Sequence, residues 1–313
     1  MKPQEFQVFL ARLGELSPEQ TTMLAAAMTG SRPDAIAIIE ARFGAGAFCP
    51  DADCGSRDIA PWGMTRDLKR YRCRDCGRTF TALTGTALAG LHKRHMWLAY
   101  ADALARQATV RKAAEICEID KTTSFRWRHR FLDAPRDTKP KALRDIVETD
   151  ETFFLESFKG APDLPRKARK RGGKAGKRGL SDEQIPVLIA RDRHGVTTDC
   201  RLPDLSDKSI TDVLGPVLDK EVVLVSDGAE RYQRFADKAD ILHISLNASA
   251  GERRWGVYHI QNVNAYTSRL KDWMRPFKGV ATKYLPNYLG WRRMVDMKKP
   301  PLSAEACLAA ALN

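Results

Sequence analysis

No apolar run in the chain approaches the roughly 18–20 residues that a membrane-spanning helix needs. No internal repeat is evident either. Acidic residues are in short supply: 39 Asp and Glu stand against 52 Lys and Arg, a formal charge of +13 with pI near 9.5. That imbalance points to a polyanionic partner, nucleic acid first and an anionic membrane surface a weak second. The opening, MKPQEFQVFLARLGEL, is not a signal peptide, because Glu5, Arg12 and Glu15 interrupt its apolar positions. It reads as an amphipathic helix with Phe6, Phe9 and Leu10 on one face. A disulfide framework is also unexpected: the seven cysteines are odd in number and four are closely paired in sequence. Such usage fits a reducing compartment and a metal site, so the expected location is the cytoplasm.

What is present is enough for two or more domains with a buried core: 313 residues, 43% hydrophobic. Residues 1–44 read as a helical lead-in. Ser17 and Pro18 sit at the N-cap and first position of one helix, and PDAIAIIEARF forms a second. DAPRDTKPKALRD is a Pro- and charge-rich linker ending near Asp145. Beyond it, IVETDETFF, IPVLIARDRHG and VTTDCRLP read as strands, DKSITDVLGPVL as a helix, and KEVVLVSDG and ADILHISLN as strands. HIQNVNAYTSRLK is a late helix with an apolar stripe and a polar one bearing Asn264 and Lys271. The fold class is therefore α/β.

Two short cysteine loops, Cys49 with Cys54 and Cys73 with Cys76, have the spacing of a zinc ribbon and could supply four thiolates to a structural Zn²⁺. DLKRYR between them suggests a hairpin with a basic strand. Cys117, Cys200 and Cys307 read as packed thiols. Next, Thr109 can cap VRKAAEIC and Asp120 can cap KTTSFRWRHRFL, a helix-turn-helix pattern. The second helix carries Lys121, Thr122, Thr123, Arg126, Arg128 and Arg130, suited to DNA phosphates and base edges. The plainer alternative is a helical hairpin with a solvated basic face.

Among the acids, alternation along the first strand puts Glu148 and Asp150 on one face and Val147 and Glu151 on the other. Asp227 closes an apolar strand where a sheet presents functional groups, although an Asp before Gly is also a turn former. Two such aspartates on adjacent strands can share divalent cations for two-metal phosphodiester chemistry. Three strands, helix, strand, strand and a final helix is the order of an RNase H-like nuclease core.

The motifs in sequence are a CxxxxC…CxxC ribbon, a helix-turn-helix, VETDETFF, the basic loop RKARKRGGKAGKRG, VLVSDGAERY and YHIQNVNAYTSRLKDW. In this order they resemble a bacterial insertion-sequence transposase of the group numbered fifteen ninety-five. The resemblance covers nearly everything from residue 48 to 295, and GVATKYLPNYLGWRRM is similar to that group's closing segment. It implies a DDE-type catalytic set binding Mg²⁺ or Mn²⁺, with Asp150 and Asp227 as its first two members. Asn264 takes the place of the usual glutamate, followed by Lys271. Glu252 is the main rival for the third acid, with Glu148, Glu151 and Glu230 as alternatives, while His259 reads as a helix-start residue. The basic loop would grip double-stranded DNA through Arg166, Lys167, Arg169, Lys170, Arg171, Lys174, Lys177 and Arg178.

The implied organisation is a lead-in 1–44, a zinc ribbon 45–90, a helix-turn-helix 91–135 and a linker 136–145. A catalytic domain 146–295 with a basic insertion 159–184 follows, then a tail 296–313. The implied protein is a nucleoid-associated, homo-oligomeric transposase that cuts element ends at their inverted repeats and transfers the freed strand. The alternatives are a catalytically inactive DNA-binding regulator and a structure-selective nuclease.

Overall fold

The computed structural model describes residues 34–43, 46–170, 173–177, 181–247, 250–298 and 302–313, with position 7. The expected helices around Phe6 and Ser17 and the basic-loop residues Arg171 and Arg178 lie outside these. The chain divides into two compact units, Met1–Ala82 and Leu83–Asn313.

In the first unit, helix α1 (Ala35–Ala41) starts where the Asp34 side chain accepts the Ala37 N–H at 2.8 Å. Strands β1 (Ile59–Thr65), β2 (Leu68–Cys73) and β3 (Thr79–Thr81) form an antiparallel sheet in that order. The β1–β2 turn uses Arg66 and Asp67 at φ 47° and 67°, the left-handed pair that a two-residue hairpin favours, without glycine. Phe43, Tyr71 and Phe80 pack edge-on and stacked at 5.6–6.1 Å between ring centres, a small aromatic core for a small unit.

The second unit begins with α2 (Trp97–Ala105), α3 (Val110–Ile116), α4 (Lys121–Phe131) and the short α5 (Asp133–Asp137). Both expected caps form: Thr109 accepts from Lys112 N at 3.3 Å and Asp120 from Thr122 N at 2.6 Å. Trp97, Tyr100, Trp127 and Phe131 make the buried centre of this bundle.

A five-stranded sheet follows. It is built from β4 (Ile146–Leu155), β5 (Gln184–Asp192), β6 (Thr197–Arg201), β7 (Val223–Ser226) and β8 (Leu242–Ser245), in the order β6-β5-β4-β7-β8. β6, β5 and β4 are antiparallel neighbours, whereas β4, β7 and β8 run parallel. Parallel neighbours need crossovers, which α6 (Asp207–Leu214) and α7 (Glu230–Ala239) provide. Both pack on the sheet face formed by Val147, Leu188, Ala190 and Leu224, where Ile210, Leu214, Tyr232 and Phe235 complete a dry core. Strands β9 (Arg254–Trp255) and β10 (Tyr258–His259) form a separate hairpin that leads into α8 (Gln261–Met274). α8 lies on the opposite face, against β4 and β5, with α9 (Leu285–Lys298) against β6. Val263, Tyr266, Leu270 and Trp273 are the buried stripe of α8.

Residues 136–145 are not a loose connection. Leu143 is fully buried in the sheet core, and the Arg293 guanidinium on α9 donates to the carbonyls of Pro135, Arg136 and Thr138. The same guanidinium pairs with Asp199 on β6, which also accepts the Tyr266 hydroxyl of α8 at 2.7 Å. The composition resembles a linker, but backbone carbonyls of this segment are satisfied by Arg293 rather than by solvent. The closing residues form α10 (Ala304–Leu312), packed on α2 with Cys307 and Leu308 buried. Among the described residues no helix is long and apolar enough to cross a membrane.

α9 approaches α5 closely at Gly290, where a Cβ would lie 2.5 Å from Arg136 Cα and Pro135 O. Backbone atoms cannot rotate away. Gly290→Ala should therefore lower stability by about 1–3 kcal/mol, the usual cost of overpacking, seen as a lower urea midpoint.

Candidate active site

β4 and β7 pair in parallel with Glu148 opposite Val225. Two residues further on, the same register sets Asp150 beside Asp227, on the sheet face that carries α8. Asp150 is half-buried and Asp227 exposed. Burial and then the negative charge of Asp227 push the Asp150 carboxyl up to about 6. The Asp227 turn is held by Ala229 N–H, donating to Oδ1 at 3.2 Å, and by Gly228 at φ 87°. A Cβ at Gly228 would sit 2.7 Å from Ser245 Oγ, so this turn requires glycine.

Glu148 is the group that brings α8 to this edge. Its carboxylate is fully buried and accepts the backbone N–H of Asn262 at 2.7 Å and of Val263 at 3.0 Å, plus the Asn262 side-chain amide at 2.9 Å. Arg193 Nη1 lies 3.1 Å and His259 Nδ1 3.3 Å from its other oxygen. A negative charge on the free N–H groups of a first helical turn is favourable, and here the strand supplies it. α8 then runs along β4 until Lys271 and Met274 line a groove with Phe154 and Leu155. Asp150 lies about 7 Å along the strand from Glu148, which corresponds to roughly four to five residues of helix. Asn264 and Lys271 thus flank its level. Both are exposed, and among the described residues no hydrogen bond joins Asn264 to either aspartate.

The rival acids have other places. Glu151 points to the opposite face and holds Arg231 of α7 in a two-pronged pair at 2.6 and 2.7 Å. Glu230 pairs with Arg234 from a nearly fully exposed position. Glu252 accepts from Asn247 N in the loop before the hairpin. His259, read as a helix-start residue, accepts the Gln261 N–H at the start of α8 at 3.2 Å and also joins Arg193 and Glu148; Arg193 was not anticipated. Arg193 sits between β5 and β6, and no local pattern in the sequence connects it with residue 259.

In the first unit the four expected cysteines converge. Cys49 and Cys76 sulfurs lie 3.6 Å apart, Cys54 and Cys73 3.7 Å, and all four fall within 4.8 Å of one another. Tetrahedral zinc with Zn–S bonds near 2.3 Å needs sulfurs about 3.8 Å apart, so the donor set fits such an ion. The Cys76 backbone N–H draws the Cys73 thiol down to about 7, against the effect of burial, which favours the thiolate that a metal needs. The cluster could hold a metal such as zinc. Cys117 and Cys307 are buried, as packed thiols should be, whereas Cys200 is half-buried beside Lys139.

Of the basic residues singled out, Lys121, Thr122 and Arg126 are exposed on α4 and Thr123 is half-buried. Arg130 donates to the carbonyls of Ala87 and Ala89, and Arg128 is buried against Ala108 O. In the basic insertion, Lys167, Lys170, Lys174 and Lys177 are exposed. Arg169 instead braces the loop through Glu183 and Glu156 O, and Arg166 through Glu156. These six arginines and lysines therefore divide, among the described residues, into struts and exposed cations, which spacing alone does not distinguish.

This sheet, with two aspartates at its central edge, lies inside residues 142–292, and that stretch is a transposase domain. It matches the ISXO2-like transposase domain, the model of the insertion-sequence group numbered fifteen ninety-five. The chain is 25% identical over 257 residues to an uncharacterized protein in transposable element ISH50 of Halobacterium salinarum, covering 80% of this chain and 86% of that one. Among solved structures it is similar to a simian T-cell lymphotropic virus intasome in complex with the PP2A regulatory subunit B56 gamma. That match has 9% identity and a TM-score of 0.29, and covers about half, 49%, of each chain. A pre-cleavage Mos1 transpososome gives 14% identity and a TM-score of 0.21 over 69% of this chain and 79% of that one. Likeness at this level settles neither fold nor function.

Two outcomes follow for the carboxylates. A carboxyl whose folded pKa exceeds its unfolded value binds a proton on folding. Asp150 therefore contributes full stability below about pH 4, and that contribution declines as pH rises to about 6. Asp150→Asn should gain up to about 3 kcal/mol at pH 7 without added divalent ion, and the gain should vanish near pH 4 in thermal melts. Glu148→Ala strips α8 of its cap and leaves Arg193 unpaired. A loss of about 3–5 kcal/mol in urea unfolding is expected, with Glu148→Gln losing less.

Proposed function

We propose that this chain is a DNA transposase whose second unit carries an RNase H-like catalytic core, and that Asp150 and Asp227 hold its divalent ions. The observation that carries this reading is their adjacency in the β4–β7 register, where burial and then the charge of Asp227 raise the Asp150 carboxyl to about 6. Such repulsion is the cost of assembling a cation site before the cation arrives. Bound Mg²⁺ or Mn²⁺ supplies the Lewis acidity that activates water and stabilises the leaving oxygen. Asn264 contributes an amide oxygen without charge, so the site binds its ions with one negative charge fewer than a three-acid set. Lys271, two turns along α8, contacts the scissile or an adjacent phosphate.

The remaining parts follow the same reading. The ribbon at 45–90, closed by Zn²⁺ on Cys49, Cys54, Cys73 and Cys76, and a helix-turn-helix at 91–135 hold the element's terminal inverted repeats. α4 would enter the major groove with Lys121, Thr122, Thr123 and Arg126 leading, while Arg130 braces the turn beneath it. The free lysines of the insertion add sequence-independent affinity for double-stranded DNA. The catalytic domain spans 146–295, and strand cleavage is followed by attack of the freed 3′ hydroxyl on target DNA. A homo-oligomer holds the two ends together at the nucleoid.

A DNA-binding regulator is the second reading, favoured by one observation: Asn264 is neutral where the set expects an acid. The two readings separate on cleavage. Wild-type protein incubated with labelled DNA carrying its own element's end, in Mg²⁺ and then Mn²⁺, should nick at the repeat boundary. Asp227→Ala should bind equally and cut at least about 100-fold more slowly. Tight binding with no cut in either metal would make the protein a regulator.

A further inference from the structure

The β9–β10 hairpin performs no role in the account so far. Its strands are two residues each, too short to be stable alone, yet the hairpin carries two of the most exposed large apolar side chains of the described residues: Trp255 at 64% on β9 and Val257 at 65% in the turn. Exposing so much apolar surface is unfavourable unless something covers it. The hairpin is nonetheless firmly held. Arg193 donates to Val257 O at 2.9 Å and reaches His259 Nε2 at 2.6 Å, and its guanidinium rests on Glu148 at 3.1 Å. β10 also packs against β7, the strand that Asp227 follows. Trp255 leans on Tyr258 at 5.9 Å between ring centres, and the turn is made by Gly256 at φ 58°. An indole is therefore held out in solvent by a fork whose other end rests on Glu148, two residues from Asp150.

We propose that Trp255 is a stacking platform for one unpaired nucleobase next to the scissile phosphate. The inference rests on the transposase reading. Charge selects the occupant: Arg253 and Arg254 precede the indole, both are exposed, and among the described residues no carboxylate pairs with either. An aromatic face preceded by two unpaired guanidinium groups suits a base with its phosphates. A second protein chain is a poor match, because two exposed apolar side chains present far less than the roughly 800 Å² per partner that a stable interface buries. Holding a base out of the stack would expose the neighbouring phosphodiester to the carboxylate pair. Part of the unstacking cost is recovered on the indole.

The test uses full-length protein and duplexes of the element's end carrying 2-aminopurine at successive positions around the cleaved phosphate, in Ca²⁺ so that binding is read without cutting. At one position the 2-aminopurine emission should be lower in the complex with the wild-type protein or Trp255→Phe than in the complex with Trp255→Ala. In Mg²⁺, Trp255→Ala should cleave about 10- to 100-fold more slowly, a loss recovered in Trp255→Phe. Circular dichroism and unchanged affinity for the duplex would verify that the variant is folded. Equal quenching by Trp255→Ala and wild type, with equal cleavage, overturns the proposal and leaves the transposase reading standing. A Trp255-dependent quench in a protein that never cuts supports the base subsite and removes the transposase reading. A change in sedimentation alone, with quenching unaltered, overturns the proposal in favour of a contact between copies.

Discussion

The arrangement depends on one buried carboxylate. Glu148 sits on the central strand of the sheet, yet its hydrogen bonds all go to other elements: the first turn of α8, the Arg193 fork and His259. Burying an uncompensated charge there would be prohibitive, so helix, arginine and strand stand or fall together. Because Glu148 and Asp150 share a strand face, the contact that fixes the helix also fixes its phase beside the aspartates.

The aspartate pair shows the opposite use of charge. Asp150 and Asp227 are pressed together by strand pairing and pay for it in proton affinity, whereas the Glu148 cluster is compensated on every side. Nearby Glu151, one residue from Asp150, is turned to the other face and neutralised by Arg231. Three acids within four residues of β4 thus have three electrostatic fates, decided by strand parity and by what packs on each face.

Much of this was legible from the chain. The Thr109 and Asp120 caps, the four cysteines, strands β4 to β8 and helices α6 and α8 follow from local rules of spacing, capping and periodicity, whereas α7, the β9–β10 hairpin and α9 were not anticipated. The face assignment of Glu148 and Asp150 was legible for the same reason. The packed state of residues 136–145 was not, because Pro and charge look alike whether they face water or satisfy Arg293. Nor was the division of the basic insertion into bracing arginines and free lysines, since that depends on where Glu156 and Glu183 fall in space.

Sequence by itself determined the identity of strands β4 to β8 and helices α6 and α8, and the parity of the strand side chains, which are matters of near-neighbour backbone geometry. Tertiary structure alone decided the strand order that sets Asp150 beside Asp227, the joining of Arg193 and His259 around Glu148, and the exposure of Trp255. Those depend on contacts between residues tens of positions apart, where burial and charge compensation, not local propensity, set the energy.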